Sequence, residues 1–150
     1  MSEKPVLELE TWLPYQCSVI VNLVSAQLAQ LYEGRFGMTS HGWRMMAVLG
    51  RAAPLSAIEL ARMTAMDQVS VTRAISHLVD LGLVVRRTDA KDRRKVALRL
   101  SAKGRKAYET IVPRALELEE NLLDGLTNAE VENVRRLMGH LFGNAVKLGL

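Results

Sequence analysis

The sequence predicts a mainly α-helical fold with one small antiparallel β-hairpin. Three observations lead there. Apolar residues recur at three- and four-residue spacing through most of the 150 residues, the signature of amphipathic helices. One stretch, residues 83 to 100, breaks that rhythm: Leu83, Val84 and Val85 form a short apolar run, and Val96, Leu98 and Leu100 alternate with Lys95, Ala97 and Arg99. Between the two runs lies RRTDAKDRR, strongly basic and without large apolar side chains, which suits an exposed tip rather than a core.

Taken in order, residues 1 to 11 are polar and charged, contain Pro5, and read as an irregular arm. Residues 12 to about 35 read as a long first helix. Pro14 suits its first turn, where the missing N–H costs nothing, and Val19, Ile20, Leu23, Val24, Leu28 and Leu31 form a broad stripe. Gly34 and Gly37 punctuate its end. Thr39 or Ser40 caps a second helix that runs to about Arg51, with Trp43, Met46, Ala47 and Gly50 on one face and Pro54 beyond its end. Ser56 and Glu59 then form a Ser-x-x-Glu capping box, in which each side chain satisfies the other's orphan backbone N–H. Ile58, Leu60 and Ala61 of that third helix are expected to pack inward.

Asp67 is the N-cap expected for the fourth helix, where a carboxylate suits the positive helix end. Val71, Ile75, Leu78 and Gly82 form its buried stripe, and Gly82 sits where a C-terminal glycine ends a helix. At about 100° per residue, Val69, Arg73, Ser76, His77 and Asp80 point the other way. Gln68 and Ser70 flank the N-terminal end. Ser101 caps a long helix after the hairpin, with Tyr108, Ile111, Val112, Ala115 and Leu116 inside and Pro113 as an expected kink. Asp124 and Gly125 end it. Thr127 and Glu130 open a last helix with a second capping box, and Val131, Val134, Leu137 or Met138, Leu141 and Val146 form its stripe.

Composition narrows the function. Residues 39 to 104 carry 12 Lys and Arg against 5 Asp and Glu, whereas the rest of the chain carries 8 against 11. A basic middle between acidic flanks is the footprint of polyanion binding confined to one lobe. The single cysteine, Cys17, excludes an internal disulfide and any C-x-x-C zinc site. No metal site and no cofactor are expected. The three histidines, His41, His77 and His140, belong to three different helices, and no glycine-rich phosphate loop or G-x-S-x-G is present, so an enzyme is not expected. The N-terminus lacks the apolar core of a signal peptide and no apolar run reaches membrane-spanning length. A cytoplasmic protein without a membrane partner follows.

Two short helices and a basic hairpin form a winged helix-turn-helix. The polar face of the fourth helix carries donors, acceptors and a cation, which can read base edges in a major groove. Gln68, Ser70, Arg73, Ser76 and His77 are the candidates. Arg73 is the first choice for a base contact, with a phosphate contact close behind. His77 reads as a base or phosphate contact, or as a solvated residue. Thr72 lies nearer the buried side, where it braces the helix or touches a phosphate.

The run LGLVVRRTDAKDRRKVALRLSAKG resembles the wing signature of the MarR family of bacterial transcription regulators. That signature pairs G-L-[IV]-x-R with D-x-x-D-x-R and L-[ST]-x-x-G. Here it is matched by Gly82, Leu83, Val84 and Arg86; by Asp89, Asp92 and Arg94; and by Leu100, Ser101 and Gly104. The resemblance implies that Arg94 enters a minor groove while Asp92 holds it in place, with Arg93 and the neighbouring cations on the backbone. Two extended residues at i and i+2 share a side, a carboxylate can grip a guanidinium bidentately, and a narrow minor groove attracts arginine.

The terminal helices have more apolar surface than a lobe of about 66 residues can cover. A second copy is the simplest cover, and a C2 dimer presents two recognition helices to the half-sites of a pseudo-palindromic double-stranded DNA operator. The resemblance implies the same homodimer. The expected organisation is an arm and first dimerisation helix over 1–36, a DNA-binding lobe over 37–104, and C-terminal dimerisation helices over 105–150. It also implies a repressor released by a small-molecule effector, often a small aromatic acid or phenol. That places Trp12, Tyr15 and Trp43 near the ligand. Two alternatives stand: a winged-helix module that binds protein, and a redox switch through Cys17. Relatives that sense hydroperoxides use a cysteine near the start of the first helix. In an ungapped comparison Tyr15 takes that position, and Cys17 lies two residues on, about 200° around the helix. With no basic neighbour to lower its pKa, Cys17 reads as a buried structural thiol.

Overall fold

The computed structural model describes residues 4–149. Six helices and two strands follow in order: α1 Leu13–Phe36, α2 Ser40–Ala52, α3 Ala57–Thr64, α4 Gln68–Asp80, β1 Val84–Thr88, β2 Val96–Leu100, α5 Ala102–Leu122 and α6 Asn128–Leu148. The chain divides into two compact units, which meet between Ala115 and Leu116 within α5.

The caps read from the sequence are all formed. Thr39 Oγ1 accepts the Gly42 N–H, and Ser56 with Glu59, like Thr127 with Glu130, makes a reciprocal capping box. Asp67 accepts the Ser70 N–H. Each such cap satisfies donors that an isolated helix end leaves open, worth about 1 kcal/mol. Gly82, at φ +71°, follows the C-cap Leu81 of α4. It is exposed and so ends the helix rather than extending its buried stripe.

The first unit is built on a core of Met45, Met46 and Leu49 from α2, Leu60 from α3, Val71, Ile75 and Leu78 from α4, Leu83, Val84 and Leu98 from the hairpin, and Ile111 from α5. From α1, Leu28 and Tyr32 are buried, and Met38 follows in the joint to α2. β1 and β2 pair antiparallel with Val84 opposite Leu100 and Thr88 opposite Val96. Leu55 and Leu98 exchange backbone hydrogen bonds of 3.2 and 2.8 Å, so β2 lies between β1 and Leu55, the residue before the α3 N-cap Ser56. The strand β1 therefore takes in Arg86, Arg87 and Thr88, which the sequence assigned to the tip. The tip itself is Asp89–Lys95.

Gly104 explains the last glycine of the hairpin signature. A Cβ there would sit on the Leu83 carbonyl oxygen, so only glycine lets the first turn of α5 approach the start of the hairpin. Ser101 Oγ accepts the Gly104 N–H at 2.9 Å and donates to the Gly82 carbonyl at 2.6 Å. α5 runs on through Pro113 to Leu122.

The second unit contains the end of α5, the turn at Gly125 and α6. Arg135 Nη2 lies 3.4 Å from Glu119 Oε1 across it. No described residue of α6 is buried, and Val134, Leu137, Met138, Leu141, Phe142 and Val146 are all exposed. In the first unit, Ile20, Val21 and Leu23 of α1 are likewise exposed. Cys17 is free and half-buried, less covered than the sequence implied. Among the described residues, no helix is long and apolar enough to cross a membrane, and no cluster of His, Cys, Asp or Glu could hold a metal ion.

Candidate nucleic-acid interface

The helix-turn-helix is set by two side chains at its turn. Asp67 accepts the Ser70 N–H through Oδ1 at 2.8 Å and the Ser70 hydroxyl through Oδ2 at 2.7 Å. The Ser70 side-chain and backbone hydrogen bonds hold the Asp67 carboxyl below its ordinary range. The carboxylate thus fixes the first turn of α4, and the Ser70 hydroxyl has its proton committed to that task.

Beyond it, Gln68, Val69, Thr72 and Arg73 are exposed on α4. Arg73 makes no hydrogen bond or ion pair among the described residues, so its guanidinium is available. Thr72, expected nearer the buried side, is exposed and borders a hollow of about 330 Å³ with Ala57, Ile75, Arg86, Val96 and Leu98.

Ser76 and His77 depart from the sequence reading. Both are half-buried. Arg86 Nη2 donates to Ser76 Oγ at 3.0 Å, which ties the root of the hairpin to α4. His77 Nε2 lies 2.9 Å from the Gly37 carbonyl oxygen at the end of α1. Helical stepping placed both away from the buried stripe of α4. It could not show that the hairpin and the end of α1 close over the flanks of that face.

The hairpin tip is organised by its aspartates. Asp89 Oδ1 accepts the backbone N–H groups of Lys91 at 2.7 Å and Asp92 at 3.1 Å. Asp92 Oδ1 accepts the Arg94 N–H at 3.1 Å. Backbone bonds from Asp89 N–H to Lys95 O and from Lys95 N–H to Asp92 O close the turn. The D-x-x-D spacing therefore places two acceptors under one loop. The bidentate clamp expected between Asp92 and Arg94 is absent. Both residues lie in a turn, not an extended strand, and the Arg94 Nε to Asp92 Oδ1 separation is 3.8 Å, too long for a hydrogen bond. The two side chains still form a loose ion pair at that distance; the Arg94 side chain is 96% exposed, with Arg93 exposed beside it.

Between this hairpin and the start of α3 runs an open groove of about 1050 Å³. Arg87, Arg94, Lys95 and Arg99 line it, with Glu59 and Asp89 as the acidic members. Glu59 is committed to the cap: its Oε2 accepts the Ser56 N–H, and the Ser56 bonds lower its pKa. Ile58 also lines the groove and is 69% exposed, against the expectation that it packs inward. The core side of α3 is filled by Leu60 and Ala61 alone.

The three aromatic candidates are not equivalent. Trp12 and Tyr15 are exposed at the start of α1, about 20 Å along the helix from its first buried residue, Leu28. Trp43 is half-buried, and its ring centroid lies 6.3 Å from that of Tyr108. Arg105 stacks over the Tyr108 ring at 5.8 Å and donates to the Gly50 carbonyl at 3.1 Å. Gly50 makes room for this, because a Cβ there would strike the Tyr108 ring. Sequence reasoning missed Arg105, for no periodicity relates α5 to α2.

A capped helix, a tight turn, a second helix with an exposed polar end and a basic hairpin define a winged-helix DNA-binding protein. Comparison with known proteins agrees and is more specific. Residues 36–95 match the model of the MarR family. The HTH-type transcriptional regulator FarR of Neisseria gonorrhoeae is 30% identical over 99 residues, spanning 63% of this chain and 68% of that protein. Among solved structures, Streptococcus pneumoniae FabT in complex with DNA superposes with a TM-score of 0.75 at 19% identity, over 94% of this chain and 99% of that one. Bordetella bronchiseptica BpsR, whose DNA binding is regulated by 6-hydroxynicotinic acid, gives 0.77 at 23%, over 91% and 97%. The chain belongs to the MarR family, and it is a DNA-binding transcriptional regulator of the winged helix-turn-helix type.

Proposed function

We propose that this regulator is a cytoplasmic, non-catalytic repressor that binds a pseudo-palindromic operator as a homodimer and leaves it when a small aromatic anion binds. The observation that carries the DNA assignment is the pairing of an exposed, unengaged Arg73 on α4 with a turn-braced basic tip bearing Arg93 and Arg94. Gln68, Thr72 and Arg73 read base edges or the adjoining phosphates, and Ser70 contributes an acceptor. Arg94 enters the minor groove, and Asp92 supports it through the Arg94 backbone. Arg87, Lys95 and Arg99 lie along the same basic groove and follow the phosphate backbone.

Dimerisation is supported by the uncovered stripes of α1 and α6, since soluble monomers rarely expose contiguous apolar patches of that kind. In this reading residues 37–104 are the DNA-binding lobe and the flanking segments, 1–36 and 105–150, join the two copies. The effector is supported by BpsR and by the Trp43–Tyr108 pair with Arg105 beside it, an aromatic wall next to a cation. Trp12 and Tyr15 are assigned to the same ligand, delivered by the assembled dimer.

The test is fluorescence anisotropy on a duplex obtained by random-site selection, over a salt series, with full and single half-sites. The wild type is expected to bind the full site far more tightly and with a steep negative salt slope. Arg94→Ala is expected to lose about 1–3 kcal/mol, and Arg73→Ala to relax the preference at one base pair by a similar amount. Equal affinity for half and full sites would overturn the dimer, and an unaffected Arg94→Ala variant would overturn the minor-groove role.

A further inference from the structure

The recognition helix is held along its C-terminal half by the joint between α1 and α2. That joint is well built. Gly37, at φ +68°, returns its N–H to the Glu33 carbonyl, and Met38 N–H reaches the Tyr32 carbonyl. These bonds satisfy end carbonyls of α1 with a left-handed glycine. Tyr32 and Met38 are almost fully buried on either side of it. Two residues of α4 and its cap meet this joint, and a third meets the first turn of α2. His77 bonds to the Gly37 carbonyl; a Cβ on Gly37 would come within 3.6 Å of a Leu81 methyl, and one on Gly42 within 3.4 Å of a Leu78 methyl. Leu78 itself is fully buried.

From this we propose that His77 is a positioning residue, and that it keys the recognition helix to the end of α1 instead of touching DNA. The inference rests on the DNA-binding reading above and adds how α4 is presented. A carbonyl oxygen only accepts, so Nε2 must carry the proton and donate it to Gly37. The polar edge of the ring at Nε2 is thereby spent inside the protein. Helix-turn-helix proteins contact base edges chiefly through the N-terminal residues of the recognition helix, which here are Gln68 to Arg73. His77 lies a turn beyond Arg73, at the end that α1 covers. On the neighbouring side Ser76 accepts from Arg86. Adjacent residues of one helix turn thus anchor α4 to α1 and to the hairpin.

The experiment compares wild type, His77→Ala and His77→Gln on the selected duplex. Gln reaches a similar distance and can donate to the same carbonyl. His77→Ala is expected to bind about two- to tenfold more weakly, the net effect of one hydrogen bond. Its salt slope should match the wild type, and its losses should spread across all single-base substitutions of the site. His77→Gln should recover most of the affinity. In ¹⁵N-edited spectra of the wild type, the His77 Nε2-bound proton should be visible in the free protein and persist on the duplex. A loss confined to one base pair, or a shallower salt slope, would make His77 a DNA contact and overturn the inference. So would an alanine variant that binds like wild type, or a missing Nε2 proton signal in the free protein. Should His77→Ala not fold, the glutamine variant and the wild-type spectrum decide the matter. A wild type that selects no duplex would overturn the interface reading and this inference with it, whereas selective binding unaffected by His77→Ala sinks this inference alone.

Discussion

Replacing Asp89 by alanine separates two accounts of the basic hairpin. If the tip acts only as a cluster of charge, removing a carboxylate should tighten DNA binding. The gain would be modest, since one unit charge is worth about 1 kcal/mol at 4 Å in water and is screened over about 8 Å at physiological salt. The hydrogen bonds predict the opposite. Asp89 Oδ1 holds the backbone N–H groups of Lys91 and Asp92, and Asp92 in turn holds that of Arg94. Without Asp89 the first two residues regain backbone freedom, which costs about 1–2 kcal/mol each to remove again on binding. Allowing for residual order, the net loss is about 2 kcal/mol, or roughly thirtyfold in Kd. Folding stability should change by only about 1 kcal/mol, because water replaces exposed hydrogen bonds. Asp89→Asn carries the same charge change but keeps an acceptor oxygen, so it should retain most of the affinity. Anisotropy titrations near physiological salt, with urea unfolding alongside, measure both. An Asp89→Ala variant that binds as tightly as wild type, or more tightly, would refute the view that this aspartate preorganises the tip.

Two further outcomes concern the frame that presents the interface. Gly104→Ala should destabilise the protein by about 3 kcal/mol in urea unfolding, because the added Cβ meets the Leu83 backbone and neither side can yield cheaply; a change under about 0.5 kcal/mol would contradict the close approach. Glu59, Asp67 and Glu130 have carboxyls lowered from ordinary values of 4.5, 3.8 and 4.5, each chiefly by hydrogen bonds at its own cap. A lowered folded pKa means that the contribution is complete above the ordinary value and disappears as pH falls through the folded one. Unfolding measured from pH 7 downward should therefore show cap stability intact until about pH 4.5 and declining below it, and Glu59→Gln should flatten part of that decline.

Much of this architecture is local, and local features can be read directly from the chain. Ser56 with Glu59, Asp67, Thr127 with Glu130 and Gly82 mark helix ends because a cap is made by residues three or four apart. The hairpin is visible because its period changes from helical to alternating, and its tip because RRTDAKDRR is basic and lacks large apolar side chains. The lone exposed arginine of α4 was likewise legible, since the opposite face holds Val71, Ile75 and Leu78.

What the sequence could not supply were relations between elements far apart in the chain. Ile58 is expected to pack inward from its short helix, yet it is exposed and lines the groove beside the hairpin. Asp92 and Arg94 share a side only if extended, and the tip turns instead. Tyr108 and Arg105 meet Gly50 and Trp43 across more than fifty residues. His77 shows the limit most directly. Its own helix determined which way it points, but forty residues separate it from the Gly37 carbonyl that receives it. Periodicity reports the angle of a side chain about its own axis. Which neighbour closes over that angle is decided by packing, and packing exists only in three dimensions.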